Sequence, residues 1–250
     1  MKNLTALLFD KDGTLVDFDR TWGPAAGAVM RTLAAGDEAA FARLAAVSHY
    51  VEAEQRFLHT SPLVSGSSIH YGPLWAEVLG RPATSAFFSL MDRLFAQEGL
   101  RHLTPIGRPR AALERLKAAG LDLGIVTNDA EASAREQAEV LGLRGLLTAI
   151  HGYDSGFGSK PQPGMITAYA ERFGHRPEAV AVVGDTAHDF HAARAAGARF
   201  ILVRSGPIPV ASLLEEADLV VDSVDDLPAR LLSTTGEAAA PSFQQPENAV

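Results

Sequence analysis

Asp10 and Asp12 stand one residue apart at the end of a short apolar run, Leu4 to Phe9, and are followed at once by Gly13 and Thr14. A run of this length closing on an acid reads as a buried strand. A carboxylate at a strand end can attack phosphorus and form an acyl phosphate. A second carboxylate two residues on can protonate the leaving oxygen, then activate water for the other half of the reaction. Gly13 permits the tight backbone departure that must follow, and Thr14 supplies a nearby hydroxyl. By itself Asp12-Gly13 reads equally as an ordinary turn after a strand, so the assignment depends on what else meets this edge.

Four further apolar runs end in polar residues. Leu121 to Val126 ends at Thr127-Asn128, Ala179 to Val183 at Gly184-Asp185, Arg199 to Val203 at Arg204-Ser205-Gly206, and Leu219 to Val221 at Asp222. A weaker strand is expected near Leu147 to His151. Between these runs lie alanine-rich helical stretches over Pro109 to Ala119, Glu131 to Leu141, Gly164 to Phe173 and His188 to Ala196. Strands alternating with helices predict an α/β fold, a parallel sheet covered on both faces. Ligands of open parallel sheets bind beyond the carboxyl ends of the strands. The residues to watch are therefore Asp10, Asp12, Thr127, Asn128, Asp185 and Asp189. Acids gathered at one edge repel unless they share a cation, and an oxygen-only donor set suits magnesium.

Residues 20 to about 102 break the rhythm. Apolar residues there recur at helical spacing, as in Val29-Leu33, Phe41-Leu44-Val47 and Phe87-Leu90-Met91-Leu94, and predict an all-helical insertion. The expected division is a core of residues 1–18 and 103–232, an insert of 19–102, and a polar, aperiodic tail from Ser233 that predicts disorder. The chain is 47% hydrophobic and 21% charged, ordinary for a globular protein. A net charge of -8 argues against nucleic acid as a partner but leaves room for a small anionic one. The absence of cysteine removes thiolate catalysis and cysteine metal sites. Leu4 to Phe9 is too short for a leader or a membrane span, so a soluble cytoplasmic protein is the expectation. Lysine occurs only at positions 2, 11, 117 and 160, which raises the weight of any lysine in a motif.

Asp10-Lys11-Asp12-Gly13-Thr14 resembles the first motif of the haloacid dehalogenase superfamily in its phosphatase form, and three more motifs follow in order. Val126-Thr127 resembles the second, in which a hydroxyl and a neighbouring amide hold phosphoryl oxygens. Ser159-Lys160-Pro161 resembles the third, in which a lysine offsets the charge of nucleophile and phosphoryl group. Gly184-Asp185-Thr186-Ala187-His188-Asp189 resembles the fourth. The resemblance implies a Rossmann-like core, Asp10 as nucleophile and Asp12 as general acid/base. It implies phosphate binding by Thr127, Asn128 and Lys160. It also implies Mg2+ held by Asp10, Asp185 and the backbone oxygen of Asp12, with Asp189 in support. The insert resembles the helical cap of phosphoglycolate phosphatases and their neighbours. A small phosphate monoester is the implied substrate, with 2-phosphoglycolate as the named expectation. Sugar phosphatases, nucleotidases and phosphomutases share the framework, as would a non-catalytic relative that binds phosphometabolites or a protein. Asp12 disfavours a dehalogenase, Thr14 a β-phosphoglucomutase, and a lysine-free insert a phosphonate hydrolase.

Strand alternation directs Lys11 away from both acids, so a surface or salt-bridged lysine is expected. Arg20, Trp22, His49, Tyr50, Arg56, His59, His70 and the loop Ser65 to Ser68 are the polar candidates for selecting substrate in the insert. His188, between two acids, is a candidate metal ligand, while His151 and His191 read as surface or loop residues. No motif states the substrate or the oligomeric state.

Overall fold

In a computed structural model, residues 1–232 are described apart from Lys2 and Ser65; the tail expected to be disordered lies outside the described residues. Six parallel strands form one sheet in the order β5-β4-β1-β6-β7-β8. They are β1 (Ala6–Phe9), β4 (Asp122–Val126), β5 (Ala149–His151), β6 (Val180–Gly184), β7 (Arg199–Val203) and β8 (Leu219–Val221). Helices α5 (Pro109–Ala118), α6 (Glu131–Val140), α7 (Gly164–Phe173), α8 (Ala187–Ala195) and α9 (Leu227–Leu232) connect and cover them. The sheet is α/β and Rossmann-like, as its sequence pattern predicts.

Strand β1 shows why the faces separate. Leu7 and Phe9 pack with Leu113, Leu116, Ala134 and Leu227 on one side, while Ala6 and Leu8 pack with Met165, Tyr169, Ala192 and Phe200 on the other. Period-two alternation feeds two cores from four residues. β1 pairs with β4 on one edge and β6 on the other, so the connections diverge at its carboxyl end and open a crevice there.

The insert leaves after β1 and returns before α5. It contains α1 (Phe18–Ala34), α2 (Glu38–Val47), α3 (Ser68–Val78) and α4 (Ser85–Arg101). An antiparallel hairpin of two-residue strands, β2 (Tyr50–Val51) and β3 (Arg56–Phe57), is added to the expected helices. Asp17 starts α1 by accepting from the Arg20 amide at 3.0 Å, the usual remedy for orphan amides at a helix start. The insert has its own apolar core around Val29, Met30, Leu44, Trp75, Met91 and Phe95. Trp75 is wholly buried and donates its indole N–H to Ser48 Oγ at 2.8 Å. Among the described residues no helix is long and apolar enough to cross a membrane.

Trp75→Ala is expected to cost about 3–5 kcal/mol, read as a lowered midpoint in urea unfolding.

Candidate active site

The strand ends bring Asp10, Thr127 and Asp185 together. Asp10 N–H bonds to Val183 O at 2.8 Å and Thr127 N–H to His151 O at 3.0 Å, so both residues continue the ladder by one position. The chain then turns sharply: the amides of Leu15 and Val16 both bond to Lys11 O, at 2.8 and 2.9 Å. Gly13 carries this turn at φ +81°, and a Cβ there would run into the Asp185 carboxylate. A Cβ on Gly206 would likewise run into the Asp185 carboxylate. Ser205 Oγ donates to Gly13 O at 2.7 Å, tying the loop after β7 to the turn after β1.

Lys160 is buried between two acids, with Nζ 2.7 Å from Asp10 Oδ1 and 2.6 Å from Asp189 Oδ1. Burial alone would lower its pKa, but Asp10 and Asp189 outweigh it and raise it. Asp189 also accepts from Thr186 N–H at 3.0 Å and Thr186 Oγ1 at 2.6 Å, closing a capping box at the start of α8. Asn128 clamps the Lys160 backbone from both sides: its Oδ1 accepts Lys160 N–H at 2.9 Å and its Nδ2 donates to Lys160 O at 3.0 Å. Its side chain therefore positions the lysine. Thr127 Oγ1 accepts Asp129 N–H at 3.1 Å, which leaves its own hydroxyl proton to donate.

The donor set fits a hard divalent cation. Carboxylate oxygens of Asp10, Asp185 and Asp189 lie within 4.8 Å of one another, and all three residues are buried. Asp185 Oδ1 accepts from Thr14 Oγ1 at 3.3 Å, while its Oδ2 is buried with no hydrogen-bond partner. An orphaned buried carboxylate oxygen is costly, and a cation is the partner that oxygen-only surroundings favour. Burial, with the neighbouring Asp189 and Asp12 charges, pushes Asp10 up to about 7 despite Lys160. Burial and Asp10 raise Asp185 well above the ordinary carboxylate range.

Lys11 departs from its expected surface position. It is 1% exposed, because the turn beginning at Lys11 ends the strand alternation that would have directed it away. Its Nζ lies 2.7 Å from Asp12 Oδ1, 2.8 Å from Gln137 Oε1 and 3.2 Å from Asp129 Oδ2, one partner for each ammonium proton. Burial lowers its pKa, but Asp12 and Asp129 outweigh this and raise it. Trp22 from α1 donates to the same Asp12 oxygen at 2.5 Å, and its ring lies 4.9 Å from the ammonium. Asp129 and Gln137 escape a search of strand ends. The signal for them is the polar series Asp129, Ser133, Gln137 at i, i+4, i+8 in an alanine-rich stretch; Ser133 Oγ donates to Asp129 Oδ2 at 2.8 Å.

Of the insert's polar candidates, Trp22, Ser67 and Ser68 line the cavity between insert and core. Arg20 points outward with its side chain 75% exposed. His49 bonds to Thr60, Arg56 pairs with Glu54, and His70 caps Ser67. Tyr50 packs on Phe57 in the insert's core. His151 is a second departure: it is buried on β5 against Phe157, with Nδ1 3.2 Å from Met165 O. His191 is exposed, as expected.

A Rossmann-like sheet carrying a buried carboxylate cluster, a paired lysine and an insert over the crevice defines a hydrolase of the haloacid dehalogenase type. The family model for haloacid dehalogenase-like hydrolases matches residues 4–197, and the chain belongs to that family. It is 31% identical over 231 residues to a phosphoglycolate phosphatase of Chromobacterium violaceum, covering 91% of this chain and 96% of that one. It is also 31% identical over 210 residues to a Rhodospirillum rubrum protein of the same name, covering 83% of each. A predicted phosphoglycolate phosphatase from Haemophilus somnus shares the fold with a TM-score of 0.68 at 20% identity, over 92% of this chain and 99% of that one.

Raised folded-state pKa values mean that Asp10 and Asp185 hold protons the unfolded chain has released. Stability of metal-free protein therefore falls as pH rises, for Asp10 between 3.8 and about 7, by about 1–3 kcal/mol. Thermal melts should show a lower Tm at pH 8 than at pH 5, recovery with MgCl2, and no such recovery in Asp185→Asn.

Proposed function

We propose that this phosphatase hydrolyses a small phosphate monoester in two steps through a phosphoaspartyl intermediate on Asp10, with magnesium as its metal. The observation that carries the reading is the Asp10–Lys160–Asp189 chain beside an Asp185 oxygen that lacks a partner. Asp10 and Asp185, with the backbone oxygen of Asp12, would hold the ion and Asp189 would support it. When bound, it would neutralise charge on the phosphoryl oxygens.

Asp10 attacks phosphorus, and the bond to the leaving oxygen breaks. Asp12 delivers the proton that oxygen needs, then takes one from the water that cleaves the aspartyl phosphate. The products are the free alcohol, inorganic phosphate and regenerated Asp10. Lys160 supplies a fixed positive charge beside the nucleophile, and Thr127 donates to a phosphoryl oxygen; phosphoryl transfer depends mainly on such positioning and charge. Lys11 and Trp22 fix the orientation of Asp12, which itself remains partly exposed on the cavity side. Residues 19–102 act as the cap that excludes water and admits the leaving group. The names of the relatives support 2-phosphoglycolate as the reference substrate, and the shared core supports a common chemistry at phosphorus. The choice of leaving group rests with the cap.

Asp10→Asn is expected to abolish magnesium-dependent release of p-nitrophenol from p-nitrophenyl phosphate. Beryllium fluoride with magnesium should be trapped on Asp10 of the wild type; an active wild type that is not inhibited by it would exclude this nucleophile. Lys11→Met takes the shared cation from two half-buried acids, Asp12 and Asp129, so it should lose about 3 kcal/mol of stability and lower kcat about tenfold or more in the fraction that remains folded.

A further inference from the structure

The cavity between insert and core encloses about 80 Å³, and its two ends differ in kind. At the core end are Asp10, Asp12, Thr127 and Lys160. At the insert end the wall is apolar and largely aromatic, with Phe18, Trp22, Phe57, Leu63, Tyr71 and Phe95. One charged group interrupts that wall, Asp92 on α4. Its Oδ2 accepts from Tyr153 OH at 2.6 Å, and Tyr153 OH lies 2.9 Å from Ser68 Oγ. Asp92 and Ser68 belong to the insert and Tyr153 to the core loop after β5, so the three meet across the cavity.

Charge decides what this end can hold. No arginine or histidine is among the described residues that line the cavity, and Lys160, its one ammonium, is paired with Asp10 and Asp189. The seven arginines of the insert face elsewhere; Arg93, next to Asp92 in sequence, is exposed. The start of α3 at Ser67 and Ser68 also reaches the cavity and would favour an anion. Asp92, linked to Ser68 through the Tyr153 hydroxyl, already places a carboxylate beside that end. A carboxylate on the substrate would be the second acid there, next to an apolar wall and without a cation. A substrate ammonium would instead find one half-buried acid, a phenol oxygen, a serine hydroxyl and several aromatic faces, the combination that binds alkylammonium groups. Burial raises the Asp92 carboxyl, the state that a cationic neighbour relieves.

We infer that the leaving group is a small amino alcohol, its ammonium held by Asp92, Tyr153 and Ser68 against the aromatic wall while its phosphoryl group meets Asp10. The inference rests on the phosphatase reading and replaces the glycolate leaving group suggested by the relatives' names. The reaction is unchanged: the ester and water give the amino alcohol and inorganic phosphate. Asp92 acts on specificity, and its substitution should change KM for the aminated ester more than kcat.

Three esters with the same two-carbon body test it: O-phosphoethanolamine, 2-hydroxyethyl phosphate and 2-phosphoglycolate, with p-nitrophenyl phosphate as a general phosphatase substrate. Phosphate release with magnesium at neutral pH should give kcat/KM falling in that order of termini, ammonium above hydroxyl above carboxylate, by about tenfold or more from first to last. Asp92→Asn should shrink the ammonium-to-carboxylate ratio about tenfold, chiefly through KM for O-phosphoethanolamine. Activity on p-nitrophenyl phosphate together with a preference for 2-phosphoglycolate, or a ratio unmoved by Asp92→Asn, overturns the inference and leaves the phosphatase standing. Inactivity of the wild type towards all four esters removes both. If Asp92→Asn fails to fold, the wild-type order of the three esters decides alone.

Discussion

Like charges drawn to one place are the constraint on which this structure depends. Asp10, Asp12, Asp129, Asp185 and Asp189 converge where β1, β4 and β6 end, and two buried lysines, Lys11 and Lys160, meet them. Five carboxylates against two ammonium groups leave an excess of negative charge in a place shielded from water. The excess is not spread evenly. Asp189 is engaged at both oxygens by Lys160 and Thr186, and one oxygen of Asp12 by Lys11 and Trp22, whereas Asp185 keeps a buried oxygen without a partner. The deficit is thus concentrated where the backbone of Gly13 and Gly206 approaches most closely. Any side chain at either position would collide with that carboxylate.

The two lysines divide the work of the site. Lys160 comes from a loop, and Asn128 holds that loop by its backbone, so the second motif sets the position of the third. Lys11 comes from the turn itself and joins Asp12 to Asp129 and Gln137 of the neighbouring segment. Trp22 brings the insert into the same network. The acid proposed to handle protons is therefore oriented from the core and the insert together.

Much of the core could be read from the sequence because its strands are buried on both faces. Runs such as Val180 to Gly184 are continuously apolar and end on the residues that matter. Helix α7 falls at the residues its pattern predicts, since Gly174 in the left-handed conformation stops it. What could not be read has local causes. Lys11 was placed by an alternation rule that the turn after Asp10 cancels. The hairpin of the insert has two residues per strand, too few to show any period. His151 is buried by α7 and Phe157, neither of which is near it in the strand pattern. The insert's histidines and arginines are the obvious polar candidates in sequence, yet the insert's side of the cavity is mostly aromatic. Asp92, the one charge in that wall, looks in sequence like any polar residue of an amphipathic helix.

The chain has two tryptophans, and their placement gives the molecule a built-in optical gauge. The Trp22 indole is one hydrogen bond from Asp12 and borders the cavity, whereas Trp75 is sealed inside the insert and bonded to Ser48. Emission from Trp22 is sensitive to the charge and hydration of its surroundings, and emission from Trp75 supplies a steady background. A ligand that enters the cavity would lie beside that same ring. The protein's own fluorescence can thus follow events in the cavity beside Asp12 without a label.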